Sequence, residues 1–337
     1  MVSSDVWGRR VAGPLHVLLA LVWAANLAAQ EAAPRPTAFS LTTERTRYPL
    51  KRLAPGVYAV LGDSGKGAEG RPNAGFVDSW DGVLVVGGLA SPAQGRAVIR
   101  TVRQVTRRPF LWLMLYAHHP DMMFGAIELK RVGARVIAHP DTHVLAAEGG
   151  PDAMVADWDG VVGLQELLGF EYADTPDHPV TGTDTLVMGG KTMVTFHPGD
   201  AHSAGDLLLW LPRDRVLFTG DILVADGVSM VVDGSSRAML AALDAIDSLK
   251  PRVIVPGHGA IPSDPAALVE RTRQYFLNLR QSMKTAVAAG KGMRAAMADL
   301  SPVDEHRPVS LNTRLRRNAA RVYLEVEREA MGFGSEE

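Results

Sequence analysis

The stretch FLWLMLYAHHPDMMFGA, Phe110 to Ala126, decides how this chain folds. Seven apolar or aromatic residues form a buried strand that runs directly into two histidines and, after Pro120, an aspartate. Imidazole and carboxylate groups at the tip of a rigid strand are well placed to converge on one metal ion. Alternate side chains of an extended segment share a face, so Leu113, Leu115, Ala117 and His119 are expected to point one way and His118 the other.

The same design recurs downstream. HPGDAHSAGDLLLWLP (His197 to Pro212) sets histidines before an apolar strand, RVLFTGD ends at Asp221, and VIVPGHG carries His258. Between these runs, apolar residues at three- and four-residue steps predict helices over Ala93–Thr106 and Ser235–Lys250, with a further helix at about Phe124–Val132. Asp264 caps another helix that starts with Pro265. GVYAVLG, AGFVDSW, GVLVVGG and ARVIAH read as strands, and the alternation of strand and helix implies layered α/β structure. Residues 141–182 are rich in Gly, Asp and Pro and are expected to be irregular, a rim or lid over a site. The tail from Asn312 to Glu329 reads as an amphipathic surface helix whose charges need no function.

Composition narrows the choice of partners. A net charge of -2 from 35 basic and 37 acidic residues, with no dominant block, leaves no electrostatic footprint for nucleic acid, so a small-molecule substrate is expected. Cysteine is absent, so any metal must take nitrogen and oxygen ligands. Arg9 and Arg10 precede the apolar run Leu15–Leu27 and then small residues, the pattern of a secretory signal. The expected organisation is a signal over 1–30, a tether over 31–47, a main domain over 48–262 and a helical extension over 263–337 packed on it. Export to the periplasm or beyond follows, with no stable membrane span once the signal is cleaved.

The metal-loop segment resembles the metallo-beta-lactamase fold, whose loop reads His-x-His-x-Asp-His at a strand end. Laid on this chain, the loop spans Ala117 to Met122, with His119 and Asp121 matching and Ala117 and Met122 replacing the outer histidines. The fold's next histidine matches His202 in AHSAGD, its bridging aspartate matches Asp221 in TGD, and its last histidine matches His258 in PGHG. Gly87, in VLVVGG, stands where members of the fold carry an aspartate. The C-terminal Arg-Asn and Tyr-x-Glu-x-Glu sequence is similar to periplasmic members associated with quinoprotein systems.

The resemblance implies a four-layer αββα sandwich with a C-terminal helical extension, and metal ligands at His119, Asp121, His202, Asp221 and His258. Each of the fold's two metal pockets has lost one ligand, which favours one ion over two. If Asp221 leans to the first pocket, His119, His202 and Asp221 make a three-ligand zinc site with an open position. If it leans to the second, Asp121, Asp221 and His258 make an oxygen-rich set for zinc, manganese or iron. The implied activity is hydrolysis of an ester, amide, thioester or lactone through a metal-activated water, with Asp121, where it is not itself a ligand, orienting that water or taking its proton. The alternative is a non-catalytic binding or scaffold protein that keeps the fold after losing metal ligands, and Ala117, Met122 and Gly87 argue for it.

Overall fold

The computed structural model describes residues 48–63, 70–148, 151–171, 175–300 and 309–333, all within one compact unit. The expected signal and tether, residues 1–47, lie outside the described residues.

Two sheets carry the chain. The first holds seven strands in chain order: β1 (Leu50–Ala54), β2 (Val57–Val60), β3 (Ala74–Asp78), β4 (Val83–Val86), β5 (Phe110–Met114), β6 (Arg135–Ala138) and β7 (His178–Pro179). β1 to β4 pair antiparallel, and β4 to β7 pair parallel. The second sheet holds β8 (Thr183–Met188), β9 (Lys191–Phe196), β10 (Leu208–Leu211), β11 (Val216–Val224) and β12 (Val253–His258), in the order β12-β11-β10-β9-β8. Only β11 and β12 run parallel, joined by a crossover helix, α7 (Ser236–Leu249).

Strand alternation sorts the apolar residues into layers. Leu84, Val86 and Met114 of the first sheet meet Leu209, Leu211, Phe218 and Val255 of the second in the core between them. Their neighbours Val83, Val85 and Leu113 face outward against Val98, Val102 and Leu129 of helices α1 (Pro92–Arg103) and α3 (Ala126–Arg131). Leu208, Trp210, Leu217 and Ile254 face the other way, against Met239, Leu243 and Ile246 of α7 and Phe276 of α8 (Pro265–Ala288). The result is the expected four-layer αββα sandwich. Each fully buried Leu, Ile, Val or Phe contributes about 1.5–3 kcal/mol to holding it together.

The helix starts follow local chemistry. Ser91, Ser235 and Asp264 accept hydrogen bonds from Gln94, Ala238 and Ala267 backbone N–H groups, capping α1, α7 and α8.

The segment after β6 is not the irregular rim expected from its composition. It forms α4 (Pro140–Glu148), α5 (Pro151–Val162) and α6 (Leu164–Leu167), with its prolines and Gly163 at helix starts. Leu167 and Trp158 join the core outside the first sheet, and Trp158 Nε1 donates to the Ala90 carbonyl at 2.9 Å.

The tail is also more than a surface helix. α9 (Met293–Ala298) and α10 (Val309–Ala330) pack on α8 through Met283, Ala296, Ala319, Val322 and Val326. Arg280 of α8 forms ion pairs with Glu325 and Glu329 of α10, and Asn318 is fully buried. Glu325 and Glu329 therefore have structural partners, because α10 lies along α8 instead of standing free.

Candidate metal centre

β5 ends at Met114, and the face alternation outlasts it by two residues. Leu115 still packs outside the first sheet, but Tyr116 and Ala117, consecutive residues, both enter the core between the sheets. Pro120 then opens the short helix α2 (Pro120–Met123), with His119 extended just before it. The turn corrects the expectation that His118 faces away from His119. Their ring centroids lie 4.4 Å apart, and both rings approach Asp233.

The loop between β9 and β10 presents His202. Asp206 accepts hydrogen bonds from the backbone N–H groups of His202 (2.7 Å) and Ser203 and from the Ser203 hydroxyl (2.6 Å). The Gly-Asp of AHSAGD is thus the clasp that closes the turn. His202 Nδ1 lies 2.8 Å from the Met230 carbonyl and donates to it, which leaves Nε2 with its lone pair aimed into the site.

Asp221 and His258 come from the parallel pair of the second sheet. The register of β11 against β12 shifts on both sides of Gly220, an irregularity that re-aims the next side chain, Asp221. His258 is the last residue of β12. Gly257 makes room for the pair: a Cβ there would sit 2.1 Å from Asp221 Oδ1.

The five expected residues form a chain of close approaches. His119 Nδ1 lies 2.9 Å from His202 Nε2, which lies 3.8 Å from Asp221 Oδ2. Asp221 Oδ1 lies 3.6 Å from His258 Nε2, which lies 3.0 Å from Asp121 Oδ2. Among the described residues, two triads bring one ligand atom each within 4.8 Å of one another: Asp121, Asp221 and His258, and His118, His119 and Asp233. The set His119, His202 and Asp221 is not one of them, because His202 stands between the other two.

The donors of the first triad suit a divalent cation. Asp221 Oδ1 and His258 Nδ1 are buried without hydrogen-bond partners, and two carboxylates share a nearly closed space with one imidazole. Like charges so close need a cation or a proton between them. Without a metal, protons take part of that role. Burial opposes charge on His258, but the Asp221 charge and the Asp121 hydrogen bond outweigh it and raise its pKa. Burial alone would raise Asp121, yet the hydrogen bond and charge of His258 hold it below the usual carboxylate range. His119 is likewise raised, Asp233 outweighing burial, whereas burial and the neighbouring His119 push His118 down to about 4.

The three departures from the fold's pattern are filled by packing. Ala117 and Met122 are buried in the core between the sheets. A Cβ on Gly87 would lie 3.1 Å from the ring of Tyr116, which occupies the neighbouring space and is itself buried. The rings of His139 and His197 pack at a tilt with centroids 4.7 Å apart, and His178 pairs with Asp184, so these three histidines have partners of their own.

Three contributors carry no sequence signal. Asp233 sits in an unremarkable VVDGSS turn. Asn73 donates from Nδ2 to the carbonyls of Pro256 (2.9 Å) and Gly259 (2.7 Å), clamping the PGHG turn. Asn318 holds the loop before Asp233 from α10.

The sequence profile of the metallo-beta-lactamase superfamily matches residues 67–258. Metallo-beta-lactamase type 2 of Bacteroides fragilis is 26% identical over 161 residues, 46% of this chain and 55% of that protein. Hydroxyacylglutathione hydrolase of Fuscovulum blasticum is 24% identical over 143 residues, 37% of this chain and 55% of that protein. The chain thus spans about half the length of these curated relatives. Among solved structures, a metallo-beta-lactamase from Pontibacter korlensis superposes with a TM-score of 0.56 at 18% identity, covering 69% of this chain and 100% of that one. A double mutant of a sec-alkyl sulfatase gives 0.65 at 16% identity, covering 85% and 50%. A profile match over more than half of the chain, on a sheet sandwich shared with those structures, makes this protein a member of the metallo-beta-lactamase superfamily.

Proposed function

We propose that this protein is a metal-dependent hydrolase of an ester, amide, thioester or lactone bond in a small molecule, with Asp121, Asp221 and His258 as the principal metal ligands. The observation that carries the reading is the convergence of these three residues, from three separate elements, with ligand atoms within 4.8 Å of one another. Zinc suits the set, and its two carboxylates also suit manganese or iron. A bound cation there supplies Lewis acidity and makes a water nucleophilic near neutral pH. Without the cation Asp121 Oδ2 faces His258 Nε2 at 3.0 Å; with it bound, that oxygen would serve the metal and the other would orient the attacking water. Because Asp121 is held ionised, positioning is its main task and strong base action is not. His202, fixed by Met230 and Asp206, supports the cluster from the side of His119. Relatives named as a hydrolase, a beta-lactamase and an acyl-carrier-protein thioesterase support the reaction class. The arginine-led apolar run at residues 9–27 supports export.

The non-catalytic scaffold is the second reading, and buried Ala117 and Met122 favour it. Elemental analysis of the purified chain, with hydrolysis assays on lactam, thioester and lactone substrates before and after chelation, separates the two. Bound metal and chelator-sensitive turnover support the hydrolase. A protein that takes up no metal and turns over none of these substrates is the scaffold.

A further inference from the structure

We propose that His118, His119 and Asp233 form a second cation site beside the Asp121, Asp221 and His258 group, replacing the pocket that Ala117 interrupts. The inference rests on the hydrolase reading only in taking the cleft to be a metal centre.

The argument is a count of protons and lone pairs. His202 Nδ1 donates to the Met230 carbonyl, so a neutral His202 has only a lone pair at Nε2. The 2.9 Å between that atom and His119 Nδ1 is a hydrogen-bond distance, so His119 carries its proton on Nδ1 and donates it to His202. Two nitrogens bound to one tetrahedral zinc would stand about 3.3 Å apart. His119 Nε2 is then left with a lone pair. It is buried, lacks a hydrogen-bond partner, and faces Asp233 Oδ1, also buried and unpartnered, at 3.7 Å. His118 Nε2 stands 3.3 Å from the other oxygen, Asp233 Oδ2. The His119 lone pair and the Asp233 carboxylate repel unless a cation lies between them, and with its proton on Nδ1 His118 would turn a second imidazole lone pair to the same point. Their spacings match those of ligands around one ion, and the ligand atoms lie within 4.8 Å of one another. His202 then becomes the partner that fixes His119's tautomer, a support that metal-bound histidines regularly have.

Asp233 is delivered by a built loop. Val232 N donates to the His202 carbonyl at 2.8 Å, and Arg321 donates to the carbonyls of Asp233 (3.0 Å) and Gly234 (2.9 Å). Its side chain is about one-third exposed, so the site opens to solvent on this side.

The test titrates chelator-stripped full-length protein with cobalt(II) and zinc, following cobalt absorption in the visible and counting bound ions by elemental analysis. Wild type should bind two ions, Asp233→Asn one, His258→Ala one, and the double variant none. His118→Gln should weaken the second ion about 10-fold or more while circular dichroism stays native. The inference is overturned if Asp233→Asn keeps two ions at unchanged affinity, or if wild type binds one ion that His258→Ala abolishes; in that last case the hydrolase reading stands. A wild type that binds no ion at all overturns both, and leaves protons as the only cations in the cluster.

Discussion

Asn318, fully buried on α10, accepts a hydrogen bond from the Val231 backbone N–H at 2.9 Å and donates to the Ser229 carbonyl at 2.8 Å. Between those two residues lies Met230, whose carbonyl fixes the His202 ring. α10 therefore reaches the candidate metal centre through one amide side chain.

Replacing Asn318 by Ala should make this connection measurable. It strips two buried backbone groups of their partners, at a cost of about 2–4 kcal/mol. Chemical denaturation should show that loss, and zinc titration should show weaker binding, because the His202 carbonyl contact no longer has a fixed geometry. Unchanged stability and affinity would mean that the loop is held by its other bonds alone.

Gly257→Ala should damage both the site and the β11–β12 pairing beneath it. The added methyl would meet Asp221 Oδ1 at 2.1 Å and the Gly220 backbone at 2.7 Å. Asp221 must move, and metal affinity should fall by at least about 10-fold. Gly160→Ala is the control: nothing lies within 4 Å of its Cβ, and it sits inside α5. That change should stabilise the protein by about 0.5–1 kcal/mol and leave metal binding alone. Equal effects of the two substitutions on metal affinity would remove Gly257 from the site.

The layers were legible in the sequence because burial and pleat share a period of two: Leu84 and Val86 had to face one way, Val83 and Val85 the other. The five ordered His and Asp residues were legible because each stands in a short motif beside an apolar run, although only His258 ends its strand, Asp221 lies inside β11 and Asp121 inside α2. His118 was misplaced by the same rule, since alternation holds only while the backbone stays extended, and β5 ends four residues before it. Asp233 and Asn318 gave no signal at all. Their role depends on a long-range contact between α10 and the loop after β11, which no local pattern encodes.

Metal-free protein should lose stability as pH rises from about 6.5. His119 and His258 have raised pKa values, so their charged forms stabilise the fold fully below the unfolded value. That contribution disappears as pH climbs through the raised values. His118 acts in the opposite sense but only below 6.5, where charging it costs stability. Zinc reverses the trend, because ligands must shed protons to bind it. Thermal melts across pH 6 to 9, with and without zinc, should nearly coincide at pH 6 and diverge as pH rises. Parallel curves would contradict the proton-for-metal exchange.

Restoring the lost histidine at Met122 tests whether the departure was a change of packing or of chemistry. Met122 is 1% exposed in the core between the sheets, one residue from Asp121. Met122→His buries a polar ring in place of a thioether and should cost about 2–4 kcal/mol without metal. If the new imidazole reaches the Asp121, Asp221 and His258 group, zinc binds only the folded form more tightly and recovers part of that loss. The expected outcome is a lower melting temperature than wild type without zinc and a larger zinc-induced rise. A rise no larger than wild type's would place residue 122 in the core alone, outside the reach of the ion.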